Sequence, residues 1–349
     1  MKKKVIIYLF ILFIVIFILF TPTSRFLFGF AGEQARLILR SEKISTVISE
    51  GLASPKIISQ LQLVPEIMSY GDNAGFPETK AYSKYTSVDR EAFYHTLSGS
   101  KKDAFEDYTW WWPIIGTIPY KGFIDSSAAV SEGEKLRRKG YDTYISNSSA
   151  MSTFGILPDP IVQTMIDEND STVLIETIYH ERTHQLFFRK NDVTFNENAA
   201  VLIGNIVALD FARSRFGENS SEFRTLINRT EDLLLFSEFL ERFYQELDGL
   251  YKSDKTKEQK LAEREIIFSN KRDEFNTIKT QLHASFKKFN EREINNAYIL
   301  THYRYYGKFS EYYRVHERLG SNPSATLQFF NATAQQKEAP DLVIATFLD

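Results

Sequence analysis

Tyr179-His180-Glu181-Arg182-Thr183-His184-Gln185, followed after a short break by Phe195-Asn196-Glu197-Asn198-Ala199-Ala200, decides how the rest of the chain is read. On a helix, residues four apart lie on one face, so His180 and His184 can present their imidazoles to one metal ion. Glu181 falls one step round from His180, beside the metal, where a carboxylate can accept a proton from water. His-Glu-x-x-His is the pattern of zinc-dependent hydrolases, whose catalytic zinc takes three protein ligands and keeps a fourth position open. Glu197 is the best candidate for the third ligand, because it opens a second apolar helix a short turn after the first.

The flanks agree with this reading. Ser171 to Ile178 reads as an apolar buried helix with Ser171 or Asp170 as N-cap. Lys190-Asn191-Asp192 breaks it, and the small residues of Ala199 to Leu209 allow a second helix to approach the first closely. The competing reading is a polar helix face carrying two hydrogen-bonded histidines.

Composition bounds the rest. The 349 residues have room for one large or two ordinary domains, with 43% hydrophobic and 25% charged residues and a net charge of −3. No positive excess points to nucleic acid as a partner. Fourteen per cent aromatic, from 29 Phe and 18 Tyr with three Trp, fits a large core or a substrate groove. The chain has no cysteine, which excludes disulfides, cysteine nucleophiles and thiolate metal sites. A metal site here must be built from histidine and carboxylate.

Lys2-Lys3-Lys4 precede an unbroken apolar run from Val5 to Phe20. A positive segment before such a run predicts membrane insertion with the lysines on the cytoplasmic side. As a helix the run spans about 24 Å, slightly short of a hydrocarbon core. Thr21-Pro22-Thr23-Ser24-Arg25 offers no clear Ala-x-Ala cleavage site, so an uncleaved anchor with the rest of the chain outside the cytoplasm is expected.

Residues 26 to 97 read as helical and amphipathic, with His95 alone and without chemistry. Trp110 to Phe123 is aromatic, punctuated by Gly and Pro, and β-prone. A helix from about Ser126 to Lys139 ends at Gly140, and Tyr141 to Ser146 reads as a strand. A small sheet therefore precedes the metal helix, and Ser152 to Gly155 is a candidate substrate-side segment by strand pairing with a peptide. Two long helical stretches, about 222–251 and 255–289, suggest an antiparallel hairpin. Near the end, a tyrosine or histidine among His302, Tyr303, Tyr305 and Tyr306 can stabilise an oxyanion, and the sequence does not choose among them. His283 and His316 read as structural or exposed, and the chain from Ser321 as a mixed tail.

Taken in this order, the pieces resemble the bacterial putative aminopeptidase family of membrane-attached zinc peptidases. The resemblance rests on Trp112-Pro113-Ile114-Ile115-Gly116 with Tyr120-Lys121-Gly122-Phe123, and on Ser152-Thr153-Phe154-Gly155 with Asp159-Pro160. It rests further on His180 to Gln185, Phe195-Asn196-Glu197 and Asn295-Asn296-Ala297. It covers about Gly29 to Gly320. It implies a gluzincin-like, zincin-type catalytic region with His180, His184 and Glu197 on Zn2+, Glu181 as base, and Tyr305 as the matching tyrosine. Members often carry a lipoprotein cysteine near the N-terminus and cysteines around the Trp-Pro segment, which this chain lacks.

The expected fold is α+β and mostly helical, with a small sheet before the metal helix and a long helical hairpin after it. The expected organisation is an anchor or signal at 1–24, a helical region at 25–105, a metallopeptidase region at 106–320 including the hairpin 222–289, and a tail at 321–349. The expected function is a membrane-anchored zinc peptidase acting on peptide N-termini, facing away from the cytoplasm. The alternatives are a non-catalytic envelope protein with a structural or binding zinc site and a zinc endopeptidase.

Overall fold

The computed structural model describes residues 5–6, 8–10, 13, 22–88, 92–112, 116–150 and 158–349. Most of the apolar run from Val5 to Phe20, and all of Ser152 to Gly155, lie outside these. Among the described residues no helix is long and apolar enough to cross a membrane.

The chain is mostly helical with small sheets. From residue 22 onward the described helices begin with α1 (Pro22–Arg40), α2 (Ile44–Glu50), α3 (Pro55–Leu61) and α4 (Val64–Ala74). The short strands β1 (Glu42–Lys43) and β2 (Lys84–Thr86) pair antiparallel. Strand β3 (Tyr94–Ser100) follows. Here the expectation of helix through residue 97 fails. Pro77, the turn at residues 79–83 and the β-formers around Tyr94 end helical structure at Ala74. His95 lies in β3, and its Nδ1 is 2.9 Å from Asn147 Oδ1.

Trp110 to Phe123 forms strands as its composition predicts: β4 (Trp110–Trp112), β5 (Gly116–Ile118) and β6 (Tyr120–Phe123). Helix α5 (Ser126–Arg138) and strand β7 (Asp142–Ser148) come next, and β8 (Ile161–Val162) adds to β2 in parallel. The main sheet runs β6-β3-β7, antiparallel throughout, so among the described residues β6 is an end strand.

The two helices of the motif are α6 (Ser171–Leu186) and α7 (Val193–Phe216). Each starts on a capping aspartate: Asp170 accepts from Thr172 N at 3.0 Å and Asp192 from Phe195 N at 3.1 Å. Both helices are buried on most of their circumference, which is why their sequences are apolar rather than amphipathic. They pack so closely at Gly204 that a Cβ there would meet the Glu176 carbonyl and His180 N at 3.2 Å each.

Helices α8 (Ser221–Lys252) and α9 (Lys257–Ile278) form the antiparallel hairpin. Its direction is fixed by Arg242 with Glu274 at 3.0 Å, Lys271 with Glu246 at 3.0 Å, and Lys260 donating to the Tyr251 carbonyl at 2.7 Å. The second helix stops at Ile278 rather than running to Phe289. Asp232 draws the next segment out of helical geometry by accepting backbone N–H groups from His283, Ala284 and Ser285 at 2.7 to 2.9 Å. After this come α10 (Asn296–Tyr306), α11 (Phe309–Arg318), α12 (Pro323–Gln335) and α13 (Pro340–Leu348). The segment from Ser321 is thus two helices that place Leu327, Phe330 and Ile344 in the main core. That core runs from Leu37 to Ile344 and encloses α6 and α7, while a second, phenylalanine-rich core fills the hairpin and α10.

Candidate metal centre

Helix α6 carries His180 and His184 on one face, with their Nε2 atoms 3.3 Å apart. Glu197, in the first turn of α7, places Oε2 3.4 Å from His180 Nε2 and 3.5 Å from His184 Nε2. The three atoms form a nearly equilateral triangle. A tetrahedral ion with bonds of about 2.0–2.2 Å needs ligand atoms about 3.3–3.6 Å apart, so the side chains present fit a metal of that size. Among the described residues this is the one group of histidines and carboxylates that could hold a metal ion. Glu181, nearly buried, sits next in sequence to His180 on the same helix.

The electrostatics favour a cation. Burial alone would raise the Glu197 pKa, but the imidazoles of His184 and His180 pull it well below the usual carboxylate range. Burial would likewise lower the His184 pKa, yet Glu197 and then Glu181 raise it. A carboxylate held between two imidazoles in a dry site is a place for positive charge, either a proton or a metal ion.

The surrounding residues hold the triangle in place. Asn196 spans the break between the helices, accepting from Arg189 N and donating to Arg189 O, both at 2.8 Å. Asn198 donates to Arg304 O at 2.8 Å and accepts from Lys308 N at 2.8 Å, tying α7 to α10. Behind His180, Asn205 donates to Glu176 at 3.1 Å, and Arg229 pairs with Glu176 and with Asp170 at 2.9 Å. Arg182 points away from the metal face. It is fully buried and donates to Asp72 Oδ1 at 2.6 Å, Met68 O at 2.9 Å and Pro77 O at 3.0 Å. Gly71 leaves the room for it, since a Cβ there would stand 2.4 Å from an Arg182 nitrogen.

Of the four oxyanion candidates, two face the site's charge. Tyr305 and Tyr306 both have pKa values raised, first by burial and next by Glu197. Tyr303 is committed elsewhere, donating to Glu241 at 2.7 Å and stacking on Tyr244 with centroids 4.0 Å apart. His302 faces the aromatic core, with Nδ1 2.9 Å from the Tyr298 carbonyl. The sequence reading missed Tyr120 on strand β6, although Tyr120-Lys121-Gly122-Phe123 was part of the resemblance. Burial and then Glu197 push its phenol pKa up, and Glu181 adds to this. Arg304 lies 5.8 Å from the Tyr120 ring centroid and pairs with Asp107 at 3.2 Å. Tyr82 is a further neighbour: after burial, Glu181 contributes most to raising its pKa. It takes φ 61°, uncommon for an aromatic residue, and its N–H donates to Asp159 O at 2.7 Å.

An α+β, mostly helical chain whose two central helices bring two histidines and a glutamate together is a candidate metalloprotein. The chain belongs to the family described as Putative aminopeptidase, whose model matches residues 25–342. Membership implies peptidase activity. No curated protein and no solved structure matches the chain.

Proposed function

We propose that the chain is a zinc-dependent aminopeptidase, anchored to a membrane by the apolar run from Val5 to Phe20, with its site on the extracytoplasmic side. The observation that carries this reading is the triangle of His180, His184 and Glu197, whose 3.3 to 3.5 Å edges suit a tetrahedral ion, with Glu181 beside it. Bound zinc would supply Lewis acidity toward a carbonyl and a lowered pKa for water. The Glu181 carboxylate takes the proton of the attacking water and delivers it to the leaving amine nitrogen. Tyr305 and Tyr120, whose phenols stay protonated at neutral pH, are the donors available to the developing oxyanion. Strand β6, which carries Tyr120, lies at the end of its sheet among the described residues, where an extended peptide could align beside the site. A group of three candidate ligands rather than four among the described residues supports a catalytic over a closed structural site.

The test is a metal assay on the full chain in detergent, together with hydrolysis of aminoacyl and internally quenched peptides. One zinc per chain and stepwise release of N-terminal residues are expected. Absence of zinc would sink the metal reading, and cleavage of blocked, internally quenched peptides would replace aminopeptidase by endopeptidase.

A further inference from the structure

An open cavity of about 470 Å³ lies between the end of α9 and α10, floored by Phe289, Tyr298 and His302. Its remaining lining includes three cations, Lys287, Lys288 and Arg292, and no acidic side chain. Among the described residues none of the three has a carboxylate partner. Of the acids nearby, Asp232 is engaged with the backbone of 283–285, Glu231 with His283 at 2.8 Å and Glu291 with Lys279 at 3.2 Å, while Glu293, next to Arg292, does not line the cavity. The loop bearing the lysines is held firmly. Phe286 takes φ 61°, a left-handed conformation that aromatic residues rarely adopt, and stacks on Phe236 with centroids 4.1 Å apart. Asp232 fixes the three preceding residues. Such a backbone persists because its surroundings over-determine it, and the result is to present Lys287 and Lys288 at the cavity.

His302 adds a directional group. A carbonyl oxygen only accepts, so Nδ1 must carry the proton donated to Tyr298 O, leaving Nε2 as an acceptor. The cavity is also linked to the metal centre. Phe286 and His302 lie 4.9 and 6.4 Å from the Tyr306 ring, and that phenol senses the charge of Glu197.

Resting on the peptidase reading, we propose that this cavity is a substrate subsite that binds a carboxylate of the peptide through Lys287, Lys288 and Arg292. The carboxylate is either the C-terminus of a short peptide or an acidic side chain of a longer one. The aromatic floor takes the adjoining apolar part.

The test is binding to the full chain carrying Glu181→Gln, which reads affinity without turnover. Calorimetry would compare three short peptides of one length: a free acid, its C-terminal amide, and an amide with an internal Glu. At least about tenfold tighter binding of a carboxylate-bearing peptide than of the neutral amide is expected. Preference for the free acid assigns the C-terminus, and preference for the Glu peptide assigns the side chain. Adding Lys287→Gln, Lys288→Gln and Arg292→Gln should erase that preference while leaving amide binding unchanged. All three are half-buried or exposed, and the melting temperature checks that folding is kept. Equal binding of acid and amide, binding of neither, or a preference that survives the triple substitution overturns the subsite. Failure of the peptidase reading shows separately, as a parent chain that hydrolyses no peptide.

Discussion

Arg182 occupies one of the two unspecified positions of His-Glu-x-x-His, yet it is the bulkiest of the fully buried side chains. Its guanidinium fastens its helix to α4, through the Met68 carbonyl and Asp72, and to the Pro77 carbonyl just beyond it. Arg182→Met should lower unfolding free energy by about 1.5–3 kcal/mol, because two carbonyls and the half-exposed Asp72 lose charge-assisted bonds. Urea denaturation checks this. Glu197→Ala should strongly weaken zinc binding, leaving two imidazoles to hold the ion; stoichiometric zinc in the purified variant would mean another residue is the ligand. Glu181→Gln keeps shape and hydrogen bonding but removes the base. Its rate should fall by about 10² to 10⁴-fold with zinc content and melting temperature unchanged, and retained peptidase activity would refute the role. At this scale the sequence was informative where chemistry is local. His180, His184 and Glu197 announce themselves by helical spacing and a short break. Tyr120 does not, because it reaches the site only through sheet pairing of β6 with β3, which no spacing encodes. Tyr303 looks as functional as Tyr305 from sequence, and only its partners Glu241 and Tyr244 show it to be structural.

Among the elements, α6 and α7 depend on each other's backbone. Gly204 faces the Glu176 carbonyl and His180 at contact distance, so Gly204→Leu must push α7 away from the histidines. A loss of about 1–3 kcal/mol by overpacking is expected, along with weaker metal retention at temperatures where the variant is still folded. Zinc titration alongside thermal melts would separate the two effects; unaltered metal affinity would show that the helices tolerate separation. These helices were legible because caps, break and apolar runs coincide with the motif. The end of α9 was not, since the charged pattern continues past Ile278 and the competing partner, Asp232, lies on a different helix. The β-structure between 84 and 100 was hidden by the same cause: β3 is specified by its neighbours β6 and β7 rather than by its own alternation.

For the molecule as a whole, two histidines, buried His316 and half-buried His302, are held neutral. Burial lowers the pKa of His302 to about 4 and that of His316 to about 4, the latter with Nδ1 2.7 Å from Thr326 Oγ1. Between about pH 6.5 and 4 the unfolded chain therefore binds more protons than the folded one, so their contribution is complete above 6.5 and lost as pH falls toward 4. Each group can add a slope of up to about 1.4 kcal/mol per pH unit. In metal-free protein, His316→Gln should flatten the fall in stability across this window relative to the parent. Parallel curves from denaturant titrations would show that His316 does not titrate on unfolding. His316 read as structural or exposed and proves structural; its partner helix, α12, read as tail. Only the packing of Phe330 and Leu327 into the main core reveals that helix as structural.

The three residues that could hold a metal ion all fall between residues 180 and 197, while Tyr120 and Tyr305 lie far away along the chain. Closing a loop as short as the one that joins His184 to Glu197 costs little chain entropy and takes little time. Bringing β6 and α10 to the same place requires the sheet and hairpin to be built first. During refolding, the ability to capture a metal ion should therefore arise before the ability to use it, and a young chain would pass through an interval in which it is loaded yet idle.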